Sequence, residues 1–173
     1  MYEELIYGMQ ENSFCMQEDY LLEEVNNGNV DAMYMLGKLY YDDGQMDNAY
    51  KWFVEASEKG QADATYYIGN FYWHPFGRGL VEPSNEKAVE YYEKAAELGS
   101  AKAMSELGKK YLQGTVAVEK DDEKAFELFR KAAELCDSEG YYWLAMCYQY
   151  GRGVKKDSEK AFDYAIKAYN ALY

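Results

Sequence analysis

The chain of 173 residues is short of several residue types, and each shortage closes off a class of chemistry. It has one histidine, His74, which excludes a multi-histidine metal centre. Any Ser-His-Asp or Cys-His nucleophilic arrangement would have to use that ring, and Trp73-His74-Pro75 offers no nucleophile beside it. Three cysteines, Cys15, Cys136 and Cys147, are an odd number without a Cys-x-x-Cys pair, and they read as reduced thiols rather than as a disulfide framework. Two prolines, Pro75 and Pro83, leave nearly the whole chain free to be helical. No apolar run approaches the roughly 20 residues that span a bilayer, and Met1-Tyr2-Glu3-Glu4 opens acidic, unlike an export signal. A cytoplasmic chain with no membrane partner is expected. Basic residues are scarce too: 18 Lys and Arg against 31 Asp and Glu give a net charge of −13, which argues against nucleic acid as a partner.

What the chain has in excess is tyrosine, twenty of them, and internal repetition. Four stretches carry a large aliphatic residue, a small residue and then a tyrosine: Leu36-Gly37…Tyr40, Ile68-Gly69…Tyr72, Leu107-Gly108…Tyr111 and Leu144-Ala145…Tyr148. The aliphatic anchors lie 32, 39 and 37 residues apart. After each comes a second pattern of alanines around aromatic residues, beginning at Ala49, Ala88, Ala125 and Ala161. Two periodic segments in each interval predict a helix-turn-helix unit copied about four times. Ser84, Asp121 and Asp157 stand where a side-chain oxygen would cap the second helix, with Glu86, Glu123 and Glu159 in its first turn. Gly60 and Gly99 suit the left-handed residue after a helix, and Gly77-Arg78-Gly79 and Gly151-Arg152-Gly153 suit tight reversals. Glycine after the anchor weakens a helix by up to about 1 kcal/mol, so its recurrence predicts close approach of the partner helix.

These residues resemble the Sel1-like repeats, relatives of the tetratricopeptide repeat: Leu-Gly-x-x-Tyr, a Gly-x-Gly turn, Asp-x-Glu-Lys-Ala and Lys-Ala-Ala-Glu-x-Gly occur in that order. The resemblance covers residues 31–173 and implies an all-α, right-handed α-solenoid with units 31–61, 62–100, 101–137 and 138–173. Residues 1–30 are expected to form terminal capping helices: a short one in 1–15, then Tyr20–Asn27 as the second helix of a partial leading unit. An amphipathic C-terminal helix is expected to close the stack. The first unit's linker, Asp42-Asp43-Gly44, is shorter than the others, and Ala145 replaces the glycine in the last.

At about 100° per residue, positions −5, −2, +2, +5 and +6 from each anchor lie opposite the core stripe. The resemblance implies that first helices line the concave side, so this set is the candidate partner-binding face. It contains Tyr34, Lys38 and Tyr41 from the first unit and Tyr66, Asn70, Trp73 and His74 from the second. Lys102 and Lys109 come from the third, and Tyr142, Met146 and Tyr150 from the fourth. Tyrosine and tryptophan dominate protein-binding hot spots because they offer area at little entropic cost. The alternative is that some of these rings pack against a neighbouring unit. If the stripe is open, Trp73→Ala and Tyr66→Ala weaken binding while stability stays nearly intact.

No catalytic residues, cofactor or metal are expected. Ser84-Asn85-Glu86-Lys87 matches a Ser-x-x-Lys motif but sits in the capping register of Asp121 and Asp157. Asp42–Asp47 is too short for a calcium loop and lacks the closing glutamate. Gly77-Arg78-Gly79 precedes no Gly-Lys-Ser/Thr. The expected function is a non-catalytic scaffold or adaptor, monomeric, holding a partner protein or peptide segment in an aromatic groove. Strong negative charge supports a second reading, an immunity-type or regulatory inhibitor of a basic effector. An enzyme is the third class, and it would have to rest on His74.

Overall fold

The computed structural model describes residues 2–74 and 80–172, with side chains from residue 14 onward. The first Gly-x-Gly turn, Gly77-Arg78-Gly79, falls outside the described residues. The elements are α1 (Tyr2–Asn26), α2 (Val30–Asp42), α3 (Met46–Glu58), α4 (Ala62–Trp73), α5 (Asn85–Glu97), α6 (Ala101–Gln113), α7 (Asp122–Glu134), α8 (Ser138–Tyr150) and α9 (Ser158–Asn170). No strand occurs among the described residues. The fold is all-α, four helix pairs following a single helix. That leading helix runs unbroken where the sequence suggested two. Between Gln10 and Tyr20 there is no proline, glycine or capping turn to interrupt it.

Seven of the helices, α2 and α4 to α9, begin where a side-chain oxygen meets a free amide. Ser84, Asp121 and Asp157 accept from the backbone N–H of Lys87, Lys124 and Lys160 at 3.2, 2.9 and 3.0 Å, as expected. The first helices are capped as well, by Asn29, Gln61, Ser100 and Asp137.

Within each of the first three units, the glycine after the anchor receives a buried ring. A Cβ on Gly37 would lie 2.7 Å from Phe53, and one on Gly69 or Gly108 would lie 2.6 Å from Tyr92 or Phe129. Those rings are fully buried, so the close approach predicted from the glycines is present. The next first helix covers the same rings from the other side: Tyr67 stacks on Phe53 at 4.6 Å and Trp143 on Phe129 at 5.5 Å. The core is a continuous strip, one cluster around Leu36, Phe53 and Phe71 and another around Tyr92, Leu107 and Phe129, with Tyr72 packed against both.

Each second helix packs on the following first helix, and consecutive first helices touch one another. Among the described residues α3, α5, α7 and α9 make no contact with each other. The first helices therefore form the tighter, inner row and the second helices splay outward. At the far end α9 buries only Ala161 and Ala168, while Phe162, Ile166, Tyr169 and Leu172 are exposed. These apolar side chains share the exposed surface of the helix with Glu159, Lys160, Asp163 and Lys167.

Candidate partner-binding face

The inner row brings residues far apart in sequence into one network. Lys102 on α6 reaches Asp63 on α4 at 2.8 Å and the Tyr34 hydroxyl on α2 at 3.0 Å, joining three units. Asp63 also accepts from the Ser100 hydroxyl at 2.6 Å and from Tyr34 at 3.5 Å. Burial opposes the charge on Lys102, but the bonds to Asp63 and Tyr34 outweigh it and hold the ammonium pKa above the usual lysine value. Further along, Lys109 pairs with Glu139 at 2.8 Å and with Glu106 at 2.5 Å, and Lys110 pairs with Glu106 at 2.8 Å. Burial would raise the Glu106 carboxyl, yet its two lysine partners lower it.

These lysines tie one first helix to the next and are neutralised in doing so. Lys38 likewise pairs with Asp42 at 2.8 Å and lies over the rings of Tyr41 and Tyr67. The rings of the first two units are half-buried in contacts between helices. Tyr34 and Tyr41 meet Tyr67 at 6.1 and 5.3 Å, and Tyr66 tilts on Tyr92 at 5.7 Å. Burial pushes the Tyr34, Tyr41 and Tyr66 phenols up. Asn70 accepts the Tyr92 hydroxyl at 2.8 Å. Trp73 is covered by the Lys110 ammonium, 3.5 Å from the ring centroid. The expectation that Trp73 and Tyr66 could be truncated at no cost to stability is revised, because both rings carry packing between helices.

The fourth unit differs. Tyr142 is 49% exposed and Tyr150 64% exposed, with half-buried Met146 between them on α8. His74 caps the C-terminus of α4 at an exposed position. Asp63 stands at position −5, on the face the periodicity assigns, whereas Tyr67 and Trp143 are residues of the inner row that sequence reasoning passed over. Position −1, held by Tyr67 and Trp143, faces the preceding unit's buried ring, and its aromatic character in two units was the available signal.

A row of helix pairs whose inner helices are laced by side chains is a helical-repeat protein. Its units match the Sel1 repeat over residues 30–61, 62–100, 101–135 and 138–171, and the chain belongs to the Sel1 repeat family. A Sel1 repeat protein from Oxalobacter formigenes is similar in structure, at 28% identity and a TM-score of 0.73, over 88% of this chain and 61% of that one. The protective antigen c5321 of uropathogenic Escherichia coli, with the SLR fold, is similar at 29% identity and a TM-score of 0.72, over 88% of this chain and 33% of that one. In sequence, 103 residues, 60% of this chain, are 33% identical to the ERAD-associated E3 ubiquitin-protein ligase component HRD3A of Arabidopsis thaliana. The match spans 15% of that relative's length. Sel1-repeat proteins are generally non-catalytic scaffolds that bind other proteins. No helix among the described residues is long and apolar enough to cross a membrane.

Proposed function

We propose that this chain is a scaffold whose inner row of first helices holds a segment of a partner protein. The observation that carries this reading is the opening of the row at its C-terminal end, where Tyr142 and Tyr150 present exposed rings on either side of Met146. Two tyrosines about two helical turns apart offer amphipathic area with little rotamer entropy to lose. The half-buried edges of Tyr34, Tyr41, Tyr66 and Trp73, with Asn70 and His74, extend the contact surface toward the N-terminus. Lys38, Lys102 and Lys109 hold that surface in shape, since each is already paired with a carboxylate on its own or a neighbouring helix.

The test is affinity capture with the intact chain and with Tyr142→Ala/Tyr150→Ala. Both rings are largely solvent-facing, so the variant should keep its urea midpoint while its principal captured protein falls roughly tenfold. Undiminished capture by a folded variant sinks the inner-row reading.

A further inference from the structure

Among the described residues, a groove between α1 and α2 has an apolar floor at a register that later units cover. On α4, Tyr67 and Phe71 face the preceding first helix, meeting Tyr41 of α2 at 5.3 and 6.1 Å between ring centroids. The residues at the same register on α2 are Met35 and Leu39, and among the described residues no first helix precedes α2. Met35 is 55% exposed. With Leu39 it floors a groove of about 370 Å³, walled by Tyr20 and Leu21 of α1 and rimmed by Lys38 and Asp42. Tyr20 stands 64% exposed at its edge. In the later units this register is filled by an α-helix, and the groove has the apolar floor that such a helix covers.

Charge narrows the choice of occupant. All seven charged residues of α1, from Glu3 to Glu24, are acidic, more than half of the chain's net −13. Glu24 follows Tyr20 by about one helical turn on the same side of α1, where its carboxylate accepts from the Asn29 side chain at 2.9 Å. The rim cation Lys38 is held by Asp42. We propose that this groove receives an amphipathic α-helix of a partner protein, one bearing lysine or arginine beside its apolar stripe. That helix takes the place a preceding first helix would hold against α2. Apolar burial on Met35 and Tyr20 supplies affinity, and the acidic charge of α1 supplies encounter rate and selects basic helices over acidic ones. The surface is separate from the Tyr142–Tyr150 end, so either can fail without the other.

The probe is a synthetic helix of about 18 residues, five turns, built from leucine, alanine and lysine in an amphipathic pattern. It is compared by fluorescence anisotropy with a scrambled isomer of the same composition and with a glutamate-for-lysine counterpart. The amphipathic lysine helix should bind roughly tenfold more tightly than either. Tyr20→Ser/Met35→Ser should remove that advantage, and Tyr142→Ala/Tyr150→Ala should leave it unchanged. Met35→Lys, a single exposed change that opposes the cationic probe, serves as the second variant if the double one loses helical signal. Equal binding of the scrambled isomer, or retention of the advantage in Met35→Lys, overturns the proposal. So does a dimer of this chain that Met35→Lys dissolves, because the occupant would then be a second copy.

Discussion

Phe53, Tyr92 and Phe129 show how a single position couples two helices. Each ring sits where an opposing Cβ would be 2.6–2.7 Å away, and glycine removes that atom. The fourth unit has Ala145 in place of the glycine, and the residue at the register of Phe129 is Ala165. With no ring to admit, the methyl group is tolerated, and the departure from the repeat pattern is a matched pair of changes. A different residue is strained. Cys136 follows α7 at φ 60°, at the position where Gly60 and Gly99 stand after α3 and α5 with φ 86° and 96°. Its N–H bonds the Ala133 carbonyl at 3.0 Å, as those of Gly60 and Gly99 bond Ser57 and Ala96. The turn is the same, but cysteine carries a side chain into a backbone region that disfavours one. Cys136→Gly should therefore stabilise the protein by about 0.5–1 kcal/mol, net of the extra freedom glycine gains when unfolded, read as a higher urea midpoint at unchanged slope. A lower midpoint would mean that the Cys136 side chain contributes more than its backbone strain removes.

Among the elements, the second helices were legible and the first helices less so. Ser84, Asp121 and Asp157 stand at one fixed offset before an alanine, so their capping role could be read directly. The caps of the first helices are Asn29, Gln61, Ser100 and Asp137, four residues of four kinds, and each also bonds a side chain on another helix. Ser100 accepts from the Ala103 N–H at 3.2 Å and donates to Asp63, 37 residues away, at 2.6 Å. Asp137 accepts from the Gly140 N–H and from the Ser105 hydroxyl at 2.8 and 2.9 Å. These caps both start a helix and fasten it to its neighbour. Ser84 caps from a more open position, and its hydroxyl reaches only Glu86 nearby. Ser100→Ala should thus cost about 1 kcal/mol more than Ser84→Ala in urea unfolding. Equal costs would show that the bond to Asp63 adds nothing to stability.

On the scale of the whole molecule, stacking only nearest and next-nearest helices buries tyrosines throughout its length. Burial raises the phenols of Tyr34, Tyr41, Tyr66, Tyr91 and Tyr92, and burial together with a bond to Glu18 pushes Tyr40 up to about 12. A raised pKa means the folded state holds its proton longer than the unfolded state. The contribution is complete below the ordinary tyrosine value of 10.0 and is lost as pH rises through the folded values. The urea midpoint should be level from neutrality to about pH 9 and fall steeply between about pH 10 and 12, in step with tyrosinate absorbance. A level midpoint with full tyrosinate formation would place these hydroxyls in water.

The amino-acid sequence by itself determined the number of units, their boundaries to within a few residues, the anchors, the second-helix caps and the close approach at the glycines. Those features follow from spacing along the chain and from the steric demands of single residue types, which are local. The identity of the open surface was decided in three dimensions. Tyr34, Tyr66 and Tyr142 hold the same register in their units, yet only Tyr142 is largely exposed. Whether a ring meets solvent depends on what the neighbouring unit places over it, such as Lys102 from α6 above Tyr34 or Lys110 from α6 above Trp73. Helix periodicity assigns a residue to a face, and only packing between units determines which part of that face is covered.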